Sequence, residues 1–173
     1  MPDAVTGLCA ALRQRIYVTQ QCREEDIDRV RSIYVKGGID AEVSNFFVDL
    51  PARIANSHLV IGRSGASTVA ELTTIGRPAI LIPYPFAVDN HQSGNARAID
   101  EAGGGWLINE SAFTPTVLAG RLESLFSLPN VLKRGAVNAR AAGRPTAAID
   151  LADLIGKIIS RTANSIVRER AAI

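Results

Sequence analysis

Glu71 is the first residue to weigh, because a carboxylate with two oxygens can accept hydrogen bonds from both hydroxyls of a cis-diol. It closes the run Ala66-Ser67-Thr68-Val69-Ala70-Glu71. In that run Ser67 and Thr68 could offer hydroxyls and N–H groups to a phosphate at a helix N-terminus. Thr68-Val69-Ala70-Glu71 also fits the S/T-x-x-E capping box, in which Glu71 would only satisfy an orphan N–H. The local pattern leaves both readings open. A second polar run, Asp89-Asn90-His91-Gln92, could recognise sugar hydroxyls, since amides both donate and accept. Its bland alternative is helix capping by Asp89 or Asn90. His91 is a weaker candidate base, His58 reads as structural, and Arg63 reads as an ion pair beneath the loop in preference to a direct ligand contact. Phe46-Phe47 reads as core at a strand end, with a backbone that could face a nucleobase.

These residues need a frame. His58 to Gly62 is a short apolar run of strand length, followed by small residues at Ser64 to Thr68 and a helical pattern through Val69, Leu72 and Ile75. Gly76 and Pro78 stop that helix, and Ala79 to Ile82 is a second buried strand. The result is a βαβ unit whose helix N-terminus presents free N–H groups above the sheet.

Upstream, Val5, Leu8, Cys9 and Leu12 predict a helix from about Asp3 to Arg13. A strand is expected at Arg15 to Gln20, a helix at Glu24 to Lys36, and a strand at Ala41 to Phe47. Asp49 and Pro51 suggest the N-cap and first turn of a helix to Ser57. Downstream, a helix from His91 to Ala102, a strand at Trp106 to Asn109, and a helix capped by Thr114-Pro115 are expected. Helices at Leu132 to Ala142 and Thr146 to about Arg170 complete the chain. Strands separated by single helices imply a Rossmann-like parallel sheet with helices on both faces and a helical C-terminal tail. Ligands in such folds sit at the carboxyl ends of the strands, here the loops after Phe47, Gly62 and Ile82. The chain opens on a helix where an α/β repeat would have a strand.

Composition narrows the classes. The 173 residues suffice for one domain or one lobe, with 47% hydrophobic and 21% charged residues. A net charge of +2 with scattered basic residues gives no nucleic-acid footprint, and 5% aromatics give no stacking platform. No apolar run approaches the roughly 20 residues that span a membrane. The first residues lack the features of a signal peptide. Cys9 and Cys22 have no metal-ligand spacing and read as reduced thiols of a cytoplasmic protein.

RSGASTVAELTTIGRPAILIPYP and DNHQSGNARAIDEAGGGWLI, with VTQQCREEDIDRVRSIY, FFVDLPARIANSHLVI and GRPTAAIDLADLI, resemble the carboxyl-terminal half of the MurG family. These are the bacterial UDP-N-acetylglucosamine transferases of peptidoglycan synthesis, GT-B glycosyltransferases, and the resemblance covers nearly the whole chain. It implies that residues 1–173 form the UDP-GlcNAc-binding lobe. Phe47 matches the position whose backbone reads the uracil. Ala66, Ser67, Thr68, Val69, Ala70 and Glu71 match the segment on the diphosphate and ribose, with Glu71 on the diol. Gln92 matches the glutamine that recognises GlcNAc hydroxyls, and His91 stands where some relatives carry a second glutamine.

The resemblance further implies transfer of GlcNAc, with inversion, to the C4 hydroxyl of lipid I, giving lipid II. No metal or other cofactor belongs to the family's site. The enzyme would sit peripherally at the cytoplasmic face of the inner membrane, through its other lobe. That acceptor lobe, its general base, and the first central strand with its glycine-rich turn have no counterpart here. No catalytic residue is therefore expected in this chain, which would be inactive alone. The alternative is a non-catalytic nucleotide-sugar-binding subunit of a split glycosyltransferase; a UDP-GlcNAc 2-epimerase fits the SGASTVAE segment less well.

Overall fold

The computed structural model describes residues 1–171, with side chains through residue 160; residues 172–173 lie outside it. It divides into two compact units, Met1–Gly143 and a second beginning at Arg144.

In the first unit, helices α1 (Pro2–Thr6) and α2 (Ala10–Arg13) precede strand β1 (Tyr17–Gln21), helix α3 (Ile27–Lys36) and strand β2 (Asp40–Ser44). Helix α4 (Leu50–Asn56) leads to β3 (Val60–Gly62), α5 (Ala66–Ile75) and β4 (Ala79–Leu81). Helix α6 (His91–Glu101), strand β5 (Gly105–Leu107), and helices α7 (Pro115–Ser127) and α8 (Pro129–Ala142) follow. Short 3-10 turns lie at Glu24–Asp26, Val88–Asn90 and Glu110–Ala112.

All strand pairs are parallel, as the alternation of strands and helices requires. They form two sheets rather than one: β1 pairs with β2, and β4 lies between β3 and β5. Ile80 stands opposite Ile61 on one side and Trp106 on the other. Alternation along β4 sends successive side chains to opposite faces. Ile80 joins a core with Val18, Tyr34, Val43, Leu118 and Leu122, which runs under both sheets. Ala79 and Leu81 join Ile54, Leu72, Ala96 and Ile99 from α4, α5 and α6. Helices thus cover both faces of the three-stranded sheet.

Helix ends follow local chemistry. Gly76 adopts φ +79°, and the Gly76 and Arg77 N–H groups both donate to the Leu72 carbonyl, closing α5. Thr114 Oγ1 accepts from the Val117 N–H at 3.2 Å, with Pro115 at the first helical position.

Three expectations are corrected. The helix from Asp3 to Arg13 is broken at Gly7–Cys9, where Cys9 is extended and its N–H donates to the Glu123 carboxylate at 3.2 Å. Asp49 occupies the N-cap position of α4 but makes no capping bond; its carboxylate turns to Arg53 at 2.6 Å. Of the two phenylalanines read as core, Phe47 is buried and Phe46 is 65% exposed.

The second unit contains α9 (Ala147–Ala171). Thr146 Oγ1 donates to Asp150 Oδ2 at 3.0 Å in its first turn, and Ile149, Leu154, Ile155 and Ile159 are exposed along it. Among the described residues no helix is long and apolar enough to cross a membrane.

Candidate functional site

The carboxyl ends of β2, β3 and β4 each carry part of the group singled out from sequence. Phe47 lies in the loop after β2, Ala66 to Glu71 form the start of α5 after β3, and His91 and Gln92 open α6 after β4. Helix α4 packs on α5, and α5 on α6, and the loops after β3 and β4 share one rim through the bond between Ser64 and Gln92.

Helix α5 begins earlier than a capping box would need. Its N-cap is Gly65, and Thr68 already lies in the first turn. Glu71 therefore caps nothing, and the capping-box reading fails. No protein group is hydrogen-bonded to its half-buried carboxylate among the described residues. Glu71 stands four residues after Ser67 and three after Thr68, within reach of each along the helix, while Leu72 and Thr73 turn into the core. Ala66 and Ser67 are exposed at a helix end whose first N–H groups have no intrahelical acceptor. The end is open to an anion, with a carboxylate one turn further in.

The loop before α5 is fixed by a polar network that local sequence reading missed. Ser64 is fully buried; its hydroxyl donates to the Gln92 carbonyl at 2.8 Å, and its own carbonyl accepts from Asn95 Nδ2 at 3.0 Å. Gln92 Oε1 accepts from the Tyr84 N–H at 3.0 Å. With its oxygen so engaged, the Gln92 amide offers mainly its NH2 group outward. His91 Nδ1 lies 2.6 Å from the Val88 carbonyl, which ties the ring back to its own loop. Asp89 and Asn90 both adopt left-handed φ values, +50° and +53°, on entering α6. Asn90 takes the N-cap position, where its Oδ1 accepts from Ser93 Oγ at 2.5 Å without bonding a backbone N–H.

Arg63 is the ion pair expected of it. Its Nη1 donates to the Ile82 and Pro83 carbonyls at 3.3 and 3.2 Å and to Glu110, and its guanidinium lies 5.5 Å from the Tyr84 ring centre. One side chain thereby ties together the carboxyl ends of β3, β4 and β5. His58 is exposed, just ahead of β3.

The hydrogen bond from Arg63 holds the Glu110 carboxyl below the usual carboxylate range. A carboxyl whose pKa is lowered by folding stabilises the fold at pH values above its unfolded pKa, near 4.3. That contribution is lost as pH falls through the lower folded value. Glu110→Gln is therefore expected to melt slightly below wild type at pH 7, the pair being half exposed and screened. The two melting temperatures should converge toward pH 3. A gap that persists in acid would show that the charge is not what matters.

Sequence comparison matches residues 3–151 to the model of the glycosyltransferase family 28 C-terminal domain. A relative from Paramagnetospirillum magneticum is 57% identical over 92% of this chain and 43% of its own length. It is named UDP-N-acetylglucosamine–N-acetylmuramyl-(pentapeptide) pyrophosphoryl-undecaprenol N-acetylglucosamine transferase. A Rhodospirillum rubrum protein of the same name is 57% identical over 90% of this chain and 40% of its own. The chain thus spans about two fifths of the curated relatives it matches. Among solved structures, Acinetobacter baumannii MurG superposes with a TM-score of 0.80 and 29% identity, over 90% of this chain and 46% of that one. The glycosyltransferase VinC, solved with dTDP, shares the fold at 18% identity and a TM-score of 0.62. By its sequence and its parallel α/β architecture, this chain belongs to the glycosyltransferase family 28 C-terminal domain family.

Proposed function

We propose that this chain is the donor-binding half of an inverting N-acetylglucosaminyltransferase that moves GlcNAc from UDP-GlcNAc to lipid I, giving lipid II. The observation that carries the reading is the free Glu71 carboxylate, one turn inside the open N-terminus of α5. Its setting in a chain 57% identical to proteins named for this reaction supports it.

In this reading the N–H groups and hydroxyls at Ala66, Ser67 and Thr68 meet the diphosphate, with Val69 and Ala70 continuing the turn. Glu71 accepts from both ribose hydroxyls, and the backbone at Phe47 reads the uracil. Gln92 donates its amide to a GlcNAc hydroxyl, with His91 beside it. When the acceptor's C4 hydroxyl attacks the anomeric carbon, the bond to the diphosphate oxygen breaks and negative charge grows on the departing UDP. The positive end of the α5 dipole faces that charge and lowers the barrier. The acceptor, the base that takes its proton and the membrane contact at the cytoplasmic face belong to the other half of the full-length protein.

Calorimetric titration of the full-length protein with UDP-GlcNAc, together with glycosylation of lipid I, tests this. Donor binding and formation of a GlcNAc-bearing lipid are expected; failure to bind any uridine nucleotide overturns it. Gln92→Ala is expected to cost about 1 kcal/mol of UDP-GlcNAc binding, the value of a neutral hydrogen bond, roughly a fivefold loss. UDP itself should bind almost as before. Equal losses for both ligands would place Gln92 away from the sugar.

A further inference from the structure

The loop after β2 carries an unusual set of side chains. Val48 is 90% exposed and Phe46 65% exposed, so the loop is not held by burial of its own apolar groups alone. It is held instead by Arg53 on α4. The Arg53 guanidinium makes a bidentate pair with Glu42 of β2, with Nη1 to Oε2 at 2.6 Å and Nη2 to Oε1 at 3.0 Å. Its Nε donates to Asp49 Oδ1 at 2.6 Å, and its Cζ lies 4.1 Å from the centre of the Phe47 ring. Tyr17 Oη adds a longer bond to Glu42 at 3.4 Å.

Every donor edge of the guanidinium is thus directed at one strand or one loop, and its flat face lies on the one buried phenylalanine of that loop. The planar fork fixes angles as well as distances, which a lysine cannot do. Ion pairs this exposed add little to stability, so the consequence of the cluster is geometric. On the other flank, Ser44 Oγ donates to the Phe46 carbonyl at 2.9 Å, and Asn45 bonds to Glu24. The stretch between these two anchors contains the Phe47–Val48 backbone.

We infer that Arg53 is a positioning residue that sets nucleobase selectivity. It holds the Phe47–Val48 backbone rigid, so that its N–H and C=O groups meet a pyrimidine edge in one geometry. The inference rests on the donor-binding reading above and goes beyond it by naming what makes that loop selective. Arg53 touches no reacting atom, so its removal should act on base choice and not on the transfer step.

The test compares UDP and ADP binding by calorimetry in full-length wild type, Arg53→Met and Arg53→Lys, with melting temperatures and kcat recorded beside them. Arg53→Met is expected to weaken UDP binding about tenfold while leaving weak ADP binding unchanged. Selectivity should therefore collapse by the same factor, with KM for the donor raised and kcat nearly kept. Arg53→Lys should recover only part of the selectivity. If Arg53→Met does not fold, Glu42→Gln loosens the bidentate pair without changing its size and should show a smaller loss of the same kind. Unchanged selectivity in the variants overturns the inference, even if the melting temperature falls. So does a parallel loss of UDP and ADP. A wild-type protein that binds no UDP overturns the donor-binding reading and this inference with it, which sets that failure apart.

Discussion

Ile80→Ala is expected to lower the unfolding free energy by about 4 kcal/mol, within the range known for emptying a fully buried aliphatic site. Ile80 has no exposed surface, and its neighbours on both sides are hydrogen-bonded strands that cannot close in on a void. It also belongs to the core that runs beneath both sheets, so the cavity would open where Val18 and Val43 share packing with β4. Urea unfolding followed by circular dichroism measures the loss. Ile80→Val should cost about 1 kcal/mol, because most of the volume stays. A loss for Ile80→Ala below about 1 kcal/mol would mean that the two sheets are not packed on one shared core.

The second large effect belongs to Glu71. In the donor-binding reading proposed above, Glu71→Gln keeps the shape but removes the charge that would strengthen acceptance from two ribose hydroxyls. It is expected to cost roughly 1.5–3 kcal/mol of UDP binding in the full-length protein. Its melting temperature should stay within a degree of wild type, because the helix is capped at Gly65 and Glu71 bonds no backbone N–H. The two observables separate the alternatives that sequence alone left open. A fall in stability with unchanged UDP affinity would return Glu71 to a purely structural role.

Strand, small-residue turn, helix and strand between His58 and Ile82 were legible because Gly76 and Pro78 punctuate a clean change of apolar period. The start of α5 was not, since Gly65, Ala66 and Thr68 are all small and local pattern allowed the helix to begin at any of them. What decides it is Ser64, buried against Gln92 from a segment 28 positions away. The helix expected at Asp3 to Arg13 failed for a similar reason. Its apolar spacing runs unbroken across Gly7 to Cys9, and the partner that breaks it, Glu123, is distant in sequence.

Two side chains that tie the loops after β2 and β3 in place went unseen. Arg53 left a faint trace, an Asp49–Arg53 pair at helical spacing with an apolar residue on each side of the loop. Glu110 left none, because only the parallel order of β3, β4 and β5 brings it to Arg63.

Asp89 and Asn90, consecutive and both left-handed, bear on how relatives of this chain are compared. Only glycine, asparagine and aspartate enter that conformation at little cost, so β-branched replacements here strain the backbone before any ligand is considered. Evolutionary drift at these two positions is therefore confined by chirality. In an alignment such confinement would look the same as invariance imposed by a bound molecule. Counting identical residues along this loop would overstate how many of them touch a substrate.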